Sequence, residues 1–182
     1  MRYADDCVVL CRNGVEEPLQ AVRHVVERLG LSLNEAKTHI VDATQASVNV
    51  LGCTIQMRRG AKTGKPYPNV RPADTSLKKI KARLTELTGR ELTAIPLGDI
   101  VGNVNRSLRG GANYFHDRNS SLAMSKVRTH AEDRLRTHLM KRHKIKDRGT
   151  GLLRFPHRDL YERYGLYKVS TGAGWRPAHA LA

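Results

Sequence analysis

An α+β chain is expected from three observations. Strand-like apolar runs are confined to roughly the first third, the apolar period switches to that of helices beyond a Gly/Pro-rich stretch at 58–72, and the charge changes with it. Residues 1–60 carry seven Lys/Arg and seven Asp/Glu, whereas residues 61–182 carry 25 and 10, so the whole formal charge of +15 lies in the later part. The expected architecture is a small β-sheet with one helix over residues 1–72, an all-α three-helix unit over 73–168, and a disordered tail over 169–182.

In chain order, Cys7-Val8-Val9-Leu10-Cys11 is a short apolar run with β-branched members, ended by Asn13-Gly14, and predicts a buried strand and a turn. Leu19, Val22, Val26 and Leu29 recur at helical spacing; Glu16-Glu17-Pro18 suits a helix start and Gly30 its stop. Leu31-Ser32-Leu33-Asn34 turns the chain, and Ile40-Val41 and Val48 to Ile55 are expected strands. Residues 58–72, rich in Gly, Pro and charge, predict a loop or hairpin tip and a domain boundary near 72.

Three helical stripes follow. Leu77, Ile80, Leu84 and Leu87 form the first, with Asp74-Thr75-Ser76 as cap candidates. Leu97, Ile100, Val101, Val104, Leu108, Ala112 and Phe115 form the second; Val127, Ala131, Leu135 and Leu139 form the third. Lys126, Arg134, Arg136 and Lys141 project a quarter turn or more from that last stripe. Three such helices can bury a shared core and present cations outward. The segment from Leu152 interleaves aromatics with arginines and ends in a Gly/Ala-rich tail.

These features exclude several classes. No apolar run approaches the ~20 residues of a membrane-spanning helix. Acids at Asp5-Asp6 stand where a signal peptide has its basic and apolar segments, so secretion is not expected. The odd set Cys7, Cys11 and Cys53 argues against a disulfide framework and fits a reducing, cytoplasmic location. No cysteine follows Cys53, so no paired-cysteine zinc site can be built downstream. A segment as basic as 61–182 repels itself unless a polyanion neutralises it, and nucleic acid is the usual one; the plain alternative is a solvated basic surface.

The adjacent carboxylates Asp5 and Asp6 sit just before an apolar run. Such a pair on a tight turn can hold a hard cation such as Mg²⁺; the plain alternative is two solvated turn aspartates. Their context is Tyr3-Ala4-Asp5-Asp6 followed by Cys7-Val8-Val9-Leu10, which resembles the signature of the reverse-transcriptase palm. Leu33-Asn34-Glu35-Ala36-Lys37-Thr38 resembles the next palm segment, and Val50-Leu51-Gly52 resembles the primer grip. Ser107 to Phe115 (Ser-Leu-Arg-Gly-Gly-Ala-Asn-Tyr-Phe) resembles the thumb and maturase-specific region, domain X, of group II intron-encoded reverse transcriptases. Leu135 to His143 and Arg148-Gly149-Thr150-Gly151 fall where that family has its last basic helix and turn. The likeness spans about residues 2–168, in the family's order.

The resemblance implies that residues 1–72 are the end of the palm and that 73–168 are thumb and domain X. It implies nucleotidyl transfer with two Mg²⁺ ions, with Asp5 as main ligand and Asp6 as its weaker partner. Lys37 would act near the triphosphate, and Tyr3 and Ala4 would line the nucleotide site; Lys37 as a surface cation and Tyr3 as packing are the plain alternatives. The family's fingers and a further palm aspartate lie upstream of its Tyr-Ala-Asp-Asp motif, as does the first strand of the hairpin that carries it. Because Met1 stands two residues before Tyr3, the chain alone is not expected to polymerise DNA. The expected function is therefore that of the C-terminal portion of a group II intron RNA-directed DNA polymerase/maturase. It would bind intron RNA, and an RNA/DNA duplex, for splicing and retrohoming, with the N-terminal half as partner. Gly111 replaces the family's usual Trp, a loss of bulk expected to weaken helix packing.

Arg106, Arg109, Arg128, Arg134, Arg136, Lys141, Arg142 and Lys144 are the candidate phosphate contacts. Charge reversal at Arg134 and Arg136 is expected to weaken RNA affinity, and Asp5→Ala to leave it nearly unchanged. His138, His143 and His157 read as part of the basic surface or as unliganded surface histidines. Two alternatives stand beside the enzyme reading: a stand-alone basic RNA-binding splicing cofactor, and a non-functional remnant.

Overall fold

The computed structural model describes residues 2–3, 6–12, 14–115 and 119–172. It is an α+β chain with a small antiparallel sheet followed by a helical part. A first, two-stranded ladder pairs β1 (Arg2–Tyr3) with β2 (Asp6–Cys7), in the register Arg2 to Cys7 and Tyr3 to Asp6. The first strand of this hairpin, expected upstream of the motif, is supplied in part by β1. The expected strand over Cys7 to Cys11 stops at Cys7, and Leu10 is 80% exposed. A strand persists only where a neighbour's ladder continues, and β1 is two residues long.

Helix α1 (Glu16–Arg28) starts at the two acids and ends as expected. Gly30 takes φ +68°, its N–H donating to the Glu27 carbonyl while that of Leu31 donates to Val26. This is the Schellman arrangement, for which glycine at that position is favoured. None of α1's residues is buried. Ile40-Val41, expected as strand, is irregular and exposed.

The second sheet is an antiparallel meander of β3 (Val48–Val50), β4 (Cys53–Arg59) and β5 (Pro66–Pro72). Leu51 and Gly52, with φ of 47° and 73°, make the two-residue turn between β3 and β4, where positive φ at both positions matches strand twist. Strand β5 corrects the expected loop over 58–72, of which only Gly60 to Lys65 remains a hairpin tip. Three prolines conceal it in the sequence, yet Pro66, Pro68 and Pro72 share one parity with Val70. The Val70 N–H points away from β4, to the Asn119 Oδ1 at 3.2 Å. The prolines therefore fall where an edge strand needs no ladder donor.

The three expected stripes become α2 (Asp74–Glu86), α3 (Leu97–Phe115) and α4 (Ser121–Arg142). A 3₁₀ turn (Arg90–Ala94) joins α2 to α3. Two short helices not foreseen, α5 (Arg148–Arg154) and α6 (His157–Glu162), fold back on α4. The core is Leu77 and Leu84 from α2, Val101, Val104, Leu108 and Ala112 from α3, and Val127, Ala131, Leu135 and Leu139 from α4, closed by Phe155, Leu160, Leu166 and Val169. Val169, assigned by sequence to the tail, is 1% exposed, so the helical unit reaches at least that far. Residues 173–182 of the expected tail lie outside the described residues. No described residue before Ala73 belongs to this core.

Sheet and helices are joined at the Leu51-Gly52 turn. The Gly52 carbonyl accepts from the Ala73 N–H at 2.8 Å and the Ser76 hydroxyl at 3.0 Å, and the Leu51 carbonyl accepts from the Tyr114 hydroxyl at 2.9 Å. Ser76, a cap candidate by sequence, is thus engaged with the turn, and none of Asp74, Thr75 and Ser76 is the N-cap, a place taken by Ala73. Two of the sequence motifs, Val50-Leu51-Gly52 and the Asn113-Tyr114-Phe115 end of the other, meet in space. Gly111 lies where α3 faces α2: a Cβ there would stand 3.2 Å from Ile80 Cδ1. The Ile80 side chain thus occupies the space above it, and the small residue suits the close approach. Gly111→Trp is expected to overpack this contact and lower stability by about 1–3 kcal/mol, read as a lowered denaturant midpoint.

Candidate nucleic-acid interface

The C-terminal end of α4 builds a mixed basic and apolar groove. After His143 the chain turns at Lys144, whose φ of 58° is a conformation normally given to glycine. The Ile145 N–H donates to the Met140 carbonyl at 2.8 Å, the same Schellman closure as in α1, and brings Ile145 over Met140. Asp147 then caps α5, accepting from the Thr150 N–H at 2.6 Å. Gly151 is buried against the Met140 side chain, which would have to move to admit a Cβ there. Between α4 and α5 lies a groove of about 490 Å³. Met140, Ile145 and Leu152 form its apolar lining; Lys141, Lys146 and Arg148 carry its exposed positive charge, and the paired Arg136 and Asp133 stand on its inner wall.

The eight arginines and lysines chosen by sequence divide sharply. Lys141 and Lys144 are exposed at the groove end of α4. Arg106 and Arg109 are exposed on α3, the first bonded to Asn103 Oδ1 at 3.1 Å and the second lying 5.2 Å over the Tyr167 ring. Arg128 faces the buried Glu132 at 3.8 Å. The other three hold the fold. Arg134 donates to the Thr88 hydroxyl at 3.1 Å and to the carbonyls of Thr85 and Thr88, satisfying the open end of α2. Arg142 donates to the carbonyls of Thr93 and Ile95, fixing the 3₁₀ turn. Arg136 is 4% exposed, donating from Nε to the Phe155 carbonyl at 3.0 Å and pairing with Asp133 at 3.1 Å. Its reading as an open surface cation is corrected on that ground: the side chain lines the inner wall of the groove, with Nε and Nη1 committed to the protein's own acceptors. Sequence reasoning missed Lys146 and Arg148, although five cations in the eight positions from Lys141 to Arg148 mark the run.

Ala4 and Asp5 lie outside the described residues; Tyr3 and Asp6 are placed by backbone alone, on facing positions of the first ladder. Lys37 is exposed in a turn closed by its own N–H to the Asn34 carbonyl at 3.0 Å. Among the described residues no three His, Cys, Asp or Glu side chains gather in a way that could hold a metal ion. Nor is any helix among them long and apolar enough to cross a membrane.

Behind the basic face α4 buries polar groups. Glu132, 7% exposed, accepts a short hydrogen bond from the Tyr161 hydroxyl and pairs with His157 Nδ1 at 3.0 Å, locking α6 to α4. Burial and the neighbouring carboxylate push the Tyr161 pKa up. Asn105 ties the last described segment to α3, its Nδ2 donating to the Gly165 carbonyl at 2.8 Å and its Oδ1 accepting from the Tyr167 N–H at 2.6 Å. His138, expected at the surface, is fully buried, and neither ring nitrogen makes a hydrogen bond of normal geometry. Burial pushes its pKa below 6.5, against a partial offset from the carbonyls of Thr88 and Gly89. His130 shifts the same way, chiefly by burial. Below pH about 6.5 the unfolded chain therefore takes up protons that the folded chain refuses. Stability is expected to fall as pH drops from about 7 toward 5, and His138→Leu to flatten that loss, read from denaturant midpoints across pH.

Comparison with known proteins matches residues 77–155 to the group II intron, maturase-specific domain. No curated protein matches the chain. The matched span opens on the first core residue of α2 and closes on Phe155 after α5, so it includes every residue of the basic groove.

Proposed function

With residues 77–155 forming a group II intron maturase-specific domain, we propose that the protein binds structured intron RNA and assists its folding for splicing. The observation that carries this reading is the groove at the end of α4, where Lys141, Lys146 and Arg148 converge inside the matched span. None of the three forms an ion pair among the described residues, so their charge is available to phosphates. Binding of the full chain to a group II intron transcript, compared with an unrelated structured RNA of equal length across a salt series, tests it. Tighter intron binding with an affinity that falls steeply with salt, and faster splicing, is the expected result. Equal, weak binding to both RNAs would contradict it.

A second reading keeps the polymerase activity that the Tyr3-Ala4-Asp5-Asp6 motif suggests, serving retrohoming. The observation that favours it is that Tyr3 and Asp6 face each other across an antiparallel ladder. Asp5 and Asp6 offer hard oxygen donors that suit Mg²⁺, and at least one further carboxylate, from a partner half, would complete the site. In this reading Asp5→Ala abolishes primer extension in the complemented protein and leaves intron RNA affinity unchanged.

A further inference from the structure

We propose that the groove between α4 and α5 takes one unpaired nucleotide of the bound RNA, its base against Met140, Ile145 and Leu152 and its phosphates on Lys141, Lys146 and Arg148. The inference rests on the RNA-binding reading above and adds to it which form of RNA is held here. A face that meets only duplex phosphates needs charge and hydrogen-bond donors, and gains nothing from an apolar hollow. Here the cations border a concavity of about 490 Å³ with three aliphatic side chains in it, and Leu152 is left 43% exposed. A-form duplex keeps its base faces stacked away from side chains, whereas a splayed nucleotide presents a flat apolar ring flanked by two phosphates. Apolar lining and charged rim match those two parts.

The backbone is shaped to the same end. Lys144 sits in a left-handed conformation at the turn that seats Ile145 on Met140, a position where glycine would be relaxed. The residue there is a cation, exposed next to the rim residues Lys141 and Lys146, and adds to the positive charge at that end of the groove. The one acid on the groove wall, Asp133, is paired with Arg136 at 3.1 Å.

Fluorescence anisotropy with the full chain tests the proposal using three probes: a labelled single-stranded RNA, the same backbone with abasic riboses, and a polyglutamate peptide of equal charge. The base-bearing RNA is expected to bind about fivefold or more tighter than the abasic one, the factor that covering about 40 Å² of apolar surface commands. Leu152→Ser should erase that difference and leave the salt slope unchanged. Leu153→Ser, at an 86% exposed neighbour outside the groove lining, should alter neither. Equal binding of the two RNAs, an unchanged difference in Leu152→Ser, or peptide binding as tight as RNA binding would each overturn the nucleotide site. In the first two cases the RNA-binding function would still stand. Failure of any RNA to bind would bring down that function as well.

Discussion

Arg136→Glu is expected to unfold the helical unit rather than to weaken RNA binding alone. The guanidinium is 4% exposed and bridges the Phe155 carbonyl, at 3.0 Å, to Asp133, at 3.1 Å. Reversal places a carboxylate in that site beside Asp133 and near the network of Glu132, itself 7% exposed, and leaves the Phe155 carbonyl without its donor. Leaving a buried charge unpaired costs about 3–5 kcal/mol, a large share of the ~5–15 kcal/mol that holds an ordinary domain. Arg136→Met, which removes the donor and adds no charge, should cost about 1–3 kcal/mol. Denaturant titration separates these cases. A reversed variant that melted like the parent but bound RNA poorly would return Arg136 to the interface.

The largest effect on affinity is expected at the groove. Replacing Lys141, Lys146 and Arg148 together by Ala removes three exposed cations that make no ion pair among the described residues. Surface changes of this kind move stability by about 0.5 kcal/mol or less each. If each contacts one phosphate, the slope of log affinity against log salt becomes shallower by about 2–2.7, and affinity near ~0.1 M salt drops on the order of a hundredfold. Arg136→Glu thus loses the fold, whereas the triple variant loses the ligand. An unchanged slope in the triple variant would place the RNA elsewhere.

The helices were legible because their period is long and their buried faces complete. Leu84, Leu108, Leu135 and Leu139, named from spacing alone, are all at or below 1% exposure. Strands depend on neighbours that spacing does not reveal. Cys7 to Cys11 reads as a strand yet has a ladder only at its first residue, while β5 is hidden by three prolines whose parity suits an outer edge. The site was legible as charge but not as geometry. Arg134 and Arg136 do lie off the apolar stripe of α4, as the helical angle requires. That angle says nothing of which element covers them, and here they bond to the end of α2 and to the Phe155 carbonyl at the end of α5. The groove itself joins residues of two helices across a left-handed Lys144, a conformation that sequence disfavours and therefore conceals.

Lysine acylation of the full chain with and without intron RNA, read by mass spectrometry, tests most directly whether RNA lies against the end of α4. The account predicts that RNA shields Lys141, Lys144 and Lys146, while Lys37, Lys62 and Lys65, exposed in the earlier part of the chain, react as before. Shielding of Lys37, Lys62 and Lys65 with Lys141, Lys144 and Lys146 unchanged would contradict it.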